Sequence, residues 1–200
     1  MMAQSRLDRP ELLDLLHGHM AKAQPSVVDD PALAQAAVAL ILAPEPLSIL
    51  FIRRAVREGD PWSGQMAIPG GRASPGDADL KETATRETLE EVAIALDGAR
   101  YLGQLDDVAP RTPDLPPLMV RPYVFVLPQR VSPRPCSKEV EEALWLPVAD
   151  FVRPGVYRAV SLTLKGTVRV FPGYQIGSNT IWGLTERIIT PVFRSLNLIP

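Results

Sequence analysis

The sequence predicts an α/β fold in which helices are layered against a β-sheet. Apolar runs of strand length alternate along the chain with segments whose apolar residues recur at helical spacing. The 200 residues are 46% hydrophobic, which is enough chain to bury the core of one compact domain. The 21 prolines predict many chain reversals between short elements. We therefore expect one domain over residues 1–200, with an N-terminal helix and linker at 1–33 and the functional core at 34–200.

The first predicted elements are a helix and two strands. Asp8 and Pro10 are typical of a helix start, and leucines at helical spacing continue the helix to about residue 22. The continuous apolar run at 36–42 favours a strand buried on both faces of a sheet. A second strand is expected at 48–54, followed by a loop rich in glycine and proline.

The rest of the chain predicts further strands, a hairpin and a final helix. In order, these are strands at 101–108 and 118–128, a short strand and turn at 142–151, a hairpin turning at Lys165-Gly166, and a helix from Asn179 to about Leu196. Pro191 is expected to kink or end that last helix.

Composition excludes several classes of protein. The net charge is −2, so no basic surface for nucleic acid is expected. Cys136 is the single cysteine, which excludes an internal disulfide. The N-terminus lacks the pattern of a secretory signal, and no apolar run approaches the ~20 residues that span a bilayer. We expect a cytoplasmic protein without a membrane or nucleic-acid partner, and the sequence leaves a homodimer open. His17 and His19 are expected to be surface residues of the first helix.

A central helix is expected to begin at residues 77 to 80, because Asp79 and Glu82 have the spacing of a capping box. Its buried face is predicted to be a narrow arc formed by Ala84, Thr88, Val92 and Ala95. A loop containing the dipeptide Gly70-Gly71 precedes this helix.

The same helix carries an unusual concentration of negative charge. Glu87, Glu90 and Glu91 fall within one 100° arc, and like charges at this spacing cost about 0.2–0.5 kcal/mol per pair. Arg86 can pair with Glu90 at i+4 but cannot neutralise three carboxylates. One interpretation is a solvated acidic face. The other is a site for Mg²⁺ or Mn²⁺, in which a carbonyl of the glycine-rich loop joins the carboxylates as an oxygen ligand.

The segment from Gly70 to Ile94, GGRASPGDADLKETATRETLEEVAI, resembles the Nudix box of the Nudix hydrolases. That pattern is a glycine, an acidic residue and then Arg-Glu-apolar-x-Glu-Glu-x-Gly-apolar. The matching residues at the end of the box are Arg86, Glu87, Glu90, Glu91 and Ile94.

The box departs from the family pattern at three places. Asp77 stands at the first acidic position, but eight residues, not seven, separate it from Arg86. Thr88 occupies an apolar position, and Ala93 replaces the usual glycine. The extra loop residue resembles the variant box of the coenzyme A pyrophosphatase branch of the family.

Two other stretches resemble the same branch. SGQMAIPGG at 63–71 is similar to its glycine-glutamine to PGG run, and IWGLTERII at 181–189 is similar to its C-terminal helix signature, although core packing also explains that spacing. The branch usually carries leucine-arginine-x-histidine before the glycine-glutamine, whereas this chain has REGDPW at 57–62.

The resemblance implies an α/β/α sandwich with a mixed β-sheet and the hydrolysis of a nucleoside diphosphate linked to another moiety. Glu87, Glu90 and Glu91 would be metal ligands, and one of them would contact the attacking water. The Gly70 carbonyl would be the backbone ligand, and Arg86 would orient the glutamates.

Residues outside the box are expected to complete the site. Glu139 or Glu142 would be the additional carboxylate, unless both belong to an ordinary charged loop. Three arginines are candidates for binding substrate phosphates, unless they are simply solvated: Arg53, Arg54 and Arg57. Trp62 could stack on a purine or cover the loop.

Coenzyme A or an acyl derivative is the expected substrate, cleaved to 3′,5′-ADP and a 4′-phosphopantetheine. ADP-ribose, NADH or another capped nucleotide is the alternative among enzymes. A catalytically silent Nudix domain that binds nucleotides is the alternative of another class, although silent members usually lose box glutamates.

Overall fold

The computed structural model describes residues 10–60, 62–110, 115–164 and 166–199. These residues form the predicted α/β fold, with helices on both faces of a mixed sheet. The helices are α1 (Pro10–Met20), α2 (Leu80–Val92), α3 (Val148–Phe151) and α4 (Gly183–Ser195). The strands are β1 (Ala34–Ala43), β2 (Ser48–Arg54), β3 (Met66–Ala67), β4 (Gly70–Arg72), β5 (Arg100–Gln104), β6 (Leu118–Val126), β7 (Val140–Pro147), β8 (Tyr157–Leu164), β9 (Thr167–Ile176) and β10 (Asn179–Trp182). None of the helices in these ranges is both long and apolar enough to cross a membrane.

The large sheet is built around β1. It pairs in parallel with β6 from Ala34 to Leu42, and β6 pairs antiparallel with β5. On its other side β1 pairs with β2 only at Leu42 and Ala43. Further along, β4 pairs with β1 and β3 pairs with β2, while β7 follows the outer side of β2. The divergence of β1 and β2 therefore admits the glycine-rich loop into the sheet.

Successive residues of β1 face two different layers of the core. Ala39 and Ile41 belong to the cluster that packs against α2. Leu40 and Leu42 belong to the cluster that includes α1 and α4. Both faces of the strand are thus buried, as its continuous apolar run predicts.

A smaller antiparallel sheet contains β8, β9 and β10. The hairpin of β8 and β9, called the hairpin arm below, turns between Leu164 and Thr167, as the pattern around Gly166 predicts. Lys165, the other residue of the predicted turn, lies outside the described residues. β10 pairs with β9 and leads directly into α4.

The prediction of one helix over 179–196 is wrong at its start. Residues Asn179–Trp182 form β10, because pairing with β9 completes the small sheet. Gly183 has a positive φ of 67° at the change from strand to helix. Pro191 lies inside α4 without ending it, because Phe193 beyond it is buried in the core.

Other predicted bounds differ by a few residues. α1 ends at Met20 with His17 and His19 exposed, while Asp8 lies outside the described residues. β5 ends at Gln104, and Val108 forms only an isolated bridge. β6 stops at residue 126, and the expected turn after β7 is the short helix α3. β3 and β4 were not predicted, because strands of two and three residues have no periodicity to read.

The start of α2 has the predicted cap. Asp79 Oδ1 accepts a hydrogen bond from the Glu82 N–H at 2.8 Å. Glu82 Oε2 accepts from the Ala78 N–H at 2.6 Å, one residue earlier than the standard capping box. The first turn of the helix is thus fixed next to the glycine-rich loop.

The end of α2 corrects one predicted residue. The helix stops at Val92, and Ala93 adopts the left-handed conformation with φ 56° while its N–H donates to the Leu89 carbonyl. Because the helix ends there, Ala95 is exposed and the predicted buried arc is wrong at that position. Its other members, Ala84, Thr88 and Val92, are buried as expected.

Replacing Ala93 by glycine should raise the free energy of unfolding by about 0.5–1 kcal/mol. Glycine adopts the left-handed conformation without the steric cost of a Cβ, and this gain exceeds its larger entropy loss on folding. Urea unfolding followed by circular dichroism measures the change. Ala95→Gly is the matched control, because Ala95 is exposed and has no positive φ. A loss of stability in Ala93→Gly would contradict the expectation.

Candidate active site

A cavity of about 520 Å³ opens beside β4 and α2. Four carboxylates and the backbone of the glycine-rich loop line it: Glu87, Glu90, Glu91, Glu139, Gly70 and Gly71. Three of these carboxylates come from α2, and the fourth comes from the segment just before β7. The fold therefore brings the box glutamates, the glycines and one of the two distant carboxylates to one place, called the carboxylate cavity below.

Glu91 is the most deeply buried of these carboxylates. The residue is 4% exposed, and its Oε2 accepts a hydrogen bond from the Gly70 N–H at 3.0 Å. Burial raises the pKa of Glu91 to about 7, and the hydrogen bond from Gly70 only partly opposes this rise. The charge of Glu87 raises the pKa further. A charged Glu91 is therefore costly unless a positive group or a proton compensates it.

Glu87 occupies space that only a glycine at position 71 leaves free. A Cβ on Gly71 would lie 2.4 Å from the Glu87 Cδ, far inside van der Waals contact. A Cβ on Gly70 would lie 2.3 Å from the Ala37 carbonyl oxygen in β1. Burial also raises the pKa of Glu87, although Arg86 opposes this. The two glycines thus bring the loop close to β1 and to the carboxylate at once.

Arg86 connects three acidic side chains. Its Nε and Nη2 donate to the two Asp77 carboxylate oxygens at 2.8 and 3.0 Å. Its Nη1 donates to Glu87 at 2.8 Å and to Glu90 at 3.2 Å, the latter being the predicted i+4 pair. The hydrogen bonds from Arg86 hold the pKa of Asp77 well below its usual range. The sequence analysis assigned Asp77 no function beyond its position in the box. In the structure Asp77 holds the Arg86 side chain through two hydrogen bonds.

Glu139 reaches the cavity because its segment is attached to α2 and β2. The Cys136 N–H donates to the Glu91 carbonyl at 3.0 Å, and the Ala55 N–H donates to the Glu139 carbonyl at 2.8 Å. The Glu139 side chain is about half exposed and forms an ion pair with Arg57 at 2.6 Å. This attachment depends on contacts that are remote in sequence.

The other residues proposed from the sequence have different surroundings. Arg53 pairs with Glu142 at 3.2 Å, and neither lines the carboxylate cavity. Arg54 lines it and pairs with Asp60 at 2.8 Å. The buried Arg54 Nε has no hydrogen-bond partner among the described residues. Trp62 lines this cavity and a larger one beside it.

The donor chemistry of the carboxylate cavity fits a hard divalent cation. Carboxylate and carbonyl oxygens are the ligands that Mg²⁺ and Mn²⁺ prefer, and buried Glu91 offers a charge to compensate. In the described part of the chain, no three Asp, Glu, His or Cys side chains converge on one point. The reason is that Glu87 and Glu90 contact Arg86, whereas Glu91 contacts Gly70. Arg86 is thus the positive partner of Glu87 and Glu90 in this structure.

Comparison with known sequences places the chain in a family. The family model for the NUDIX domain matches residues 33–163. An uncharacterized Nudix hydrolase, NudL, of Yersinia enterocolitica is 32% identical over 164 residues, which cover 80% of each chain. An uncharacterized protein of Schizosaccharomyces pombe is 42% identical over 110 residues, but the match covers 33% of its length and 53% of this chain. The chain belongs to the Nudix family, whose hydrolases cleave pyrophosphate bonds in nucleoside diphosphate derivatives and generally use divalent metals such as Mg²⁺.

Solved structures share the fold at low sequence identity. A MutT/nudix family protein from Enterococcus faecalis superposes with a TM-score of 0.58 and 17% identity, covering 93% of this chain and 69% of that chain. An Ap4A hydrolase of C. elegans superposes with a TM-score of 0.50 and 19% identity, covering 59% of this chain and 82% of that chain. These likenesses confirm the predicted fold class.

Glu91→Gln should stabilise the protein in the presence of a chelator, and the gain should depend on pH. The folded-state pKa of Glu91, about 7, lies above its ordinary value of 4.5, so its charge opposes folding. The glutamine variant should equal the parent at pH 4 or below, gain stability as pH rises from about 4.5 to 7, and remain about 1–3 kcal/mol more stable above that.

Urea unfolding of both proteins across this pH range measures the difference. Glu141→Gln is the control, because Glu141 is exposed and should show no comparable gain. A constant difference between parent and Glu91→Gln at all pH values would contradict the burial argument.

Gly71→Ala should reduce activity far more than stability. The new Cβ meets the movable end of the Glu87 side chain, so the fold can adjust by displacing that carboxylate. We expect unfolding to change by less than about 1 kcal/mol and hydrolysis of a nucleoside diphosphate derivative to fall at least about tenfold. Gly76→Ala is the control, since a Cβ there meets no atom within 4 Å. Equal activity of the two variants would refute the role of this contact.

Proposed function

We propose that the protein hydrolyses the diphosphate bond of coenzyme A or acyl-coenzyme A with Mg²⁺ or Mn²⁺ as cofactor. The products are 3′,5′-ADP and a 4′-phosphopantetheine. The supporting observation is the group of four carboxylates around one cavity, next to a backbone that glycines allow to come close. Water adds its oxygen to one phosphorus, the bridging P–O bond breaks, and the water proton passes to a carboxylate.

Each residue of the carboxylate cavity has a task in this proposal. The cation ligands are three side chains of α2 and one loop carbonyl: Glu87, Glu90, Glu91 and Gly70. A divalent cation bound there supplies neutralisation of the diphosphate charge. Arg86 orients the glutamates from its fork on Asp77. Glu139, from the other side of the cavity, accepts the proton of the attacking water.

The cationic residues nearby serve the substrate. Arg54 lines the cavity, and its guanidinium suits a phosphate oxygen. Arg57 acts through its ion pair with Glu139, which it holds in place. Arg53 lies in the adjoining cavity, where Trp62 also provides an apolar surface for the substrate.

Coenzyme A is preferred as substrate because both stretches that resemble the coenzyme A branch contribute to the carboxylate cavity. The stretch at 63–71 supplies Gln65 and Met66, and the stretch at 181–189 supplies Leu184 and Thr185. Each stretch also contributes to the core, through Met66 in the first and Ile181 in the second.

Two alternatives remain to be tested against this proposal. ADP-ribose, NADH or another capped nucleotide contains the same diphosphate, and the absence of leucine-arginine-x-histidine at 57–62 favours such a substrate. A silent nucleotide-binding domain is the alternative of another class. The presence of all three box glutamates around the cavity argues against it.

Purified protein should hydrolyse coenzyme A with a kcat/KM well above those for ADP-ribose and NADH. EDTA should abolish this activity and added Mg²⁺ or Mn²⁺ should restore it, because the proposed ligands are all oxygen atoms. Product analysis by chromatography separates 3′,5′-ADP from other nucleotides.

Glu91→Gln serves as the inactive reference in the same assay, with kcat at least about a hundredfold lower. Full activity in excess chelator would overturn the metal-dependent mechanism. A higher kcat/KM for ADP-ribose than for coenzyme A would overturn the proposed substrate, and hydrolysis of none of the three compounds would favour the silent domain.

A further inference from the structure

A second cavity of about 1230 Å³ lies between the inner face of the hairpin arm and the loop before β3. It adjoins the carboxylate cavity, because both are lined by Trp62, Arg72 and Trp182. A molecule whose diphosphate contacts the glutamates can therefore extend into this second space, called the arm cavity below.

The arm cavity presents aromatic rings. Phe171 of β9 and Trp182 of β10 have ring centroids 4.9 Å apart and an interplanar angle of 39°. Both rings line the cavity and are only partly buried, so part of their surface is available. Trp62 adds a third ring at the border with the carboxylate cavity. Such rings bind nucleobases by stacking.

Two guanidinium groups in the arm cavity are free to bind a ligand. Arg72, at the end of β4, and Arg169, on β9, both line it, and neither side chain has a hydrogen-bond or ion-pair partner within the described ranges. By contrast, Arg53 is held by Glu142 at 3.2 Å and by Asn179 at 2.6 Å.

The charge of the arm cavity is positive. Asp60 is the only acidic residue among the described lining residues, and it already pairs with Arg54 at 2.8 Å. Its pKa lies below the usual value, since the hydrogen bonds from Arg54 and the Trp62 N–H outweigh the effect of burial. The aspartate therefore stays ionised in its pair, and the free arginines can attract an anion.

The position of Arg169 follows from the strand geometry of the arm. Side chains alternate between the two faces of a strand, so Arg169 shares the inner face with Phe171 two residues later. Val168 and Val170 occupy the outer face and are 66% and 63% exposed. A nucleobase stacked on Phe171 would thus bring its ribose within reach of the Arg169 guanidinium.

We propose that the arm cavity binds a nucleoside whose ribose carries a second phosphate besides the one at its 5′ position, with the base on Phe171 and Trp182 and that second phosphate on Arg169. This inference rests on the proposed function and specifies which end of the substrate enters the arm. The pantetheine end of coenzyme A is uncharged and would form no ion pair with the two free arginines. The phosphoadenosine end has both an aromatic base and a phosphate monoester that match the lining.

Nucleotide binding to the intact protein tests the inference without any turnover. Isothermal titration calorimetry compares 3′,5′-ADP with 5′-AMP, which differ only in the second ribose phosphate. The parent should bind 3′,5′-ADP about tenfold more tightly, because a charge-assisted hydrogen bond has that value. Arg169→Gln should reduce this preference to about twofold or less and leave the affinity for 5′-AMP nearly unchanged.

Arg158→Gln is the matched control, because Arg158 is an exposed arginine of the same arm that lines neither cavity. It should keep the full preference for 3′,5′-ADP. An equal affinity of the parent for the two nucleotides, or an Arg169→Gln variant that keeps the preference, would overturn the inference.

Hydrolysis separates this inference from the proposed function. The ratio of kcat/KM for coenzyme A to that for dephospho-coenzyme A should exceed about tenfold in the parent and fall towards one in Arg169→Gln. If coenzyme A is hydrolysed but the variant keeps the ratio, the arm assignment is overturned while the function stands. If coenzyme A is not hydrolysed but Arg169 still determines the preference for 3′,5′-ADP, the arm assignment stands and the substrate is replaced.

Discussion

The buried carboxylate of Glu91 constrains the rest of the site. It is enclosed between α2 and the glycine-rich loop, with one backbone hydrogen bond from Gly70 to offset the loss of water. Burial in such a place raises the pKa of the carboxyl, and the negative charge opposes folding unless a cation or a proton accompanies it. The protein therefore accepts a cost in stability at the place where the proposed chemistry needs negative charge, as is common at functional sites.

The architecture around Glu91 follows from the divergence of β1 and β2. The space between the strands admits the loop, and the loop can enter only because residues 70 and 71 are glycines, packed against Ala37 and Glu87. Arg86 then fixes the outer glutamates while Asp77 fixes Arg86. Sheet topology, glycine placement and the two hydrogen bonds from Arg86 to Asp77 together produce one acidic cavity.

The features that the sequence predicted correctly depend on residues that are close together in the chain. The cap at Asp79, the doubly buried run of β1 and the turn at Gly166 depend on near neighbours, and the fold bears them out. The attachment of the Glu139 segment to α2 and the pairing of β10 with β9 depend on contacts remote in sequence, which periodicity does not encode. Arg169 gave no signal either, because an arginine on a strand is ordinary until its partners and its cavity are known.

Direct measurement of Mn²⁺ binding tests the central claim that the Glu91 carboxylate belongs to a cation site. Electron paramagnetic resonance of free Mn²⁺ gives the affinity of the parent, of Glu91→Gln and of Glu141→Gln, whose altered residue is an exposed glutamate of β7. The account predicts binding by the parent and by Glu141→Gln with similar affinity, and at least about tenfold weaker binding by Glu91→Gln. Equal affinity of all three proteins for Mn²⁺ would contradict it.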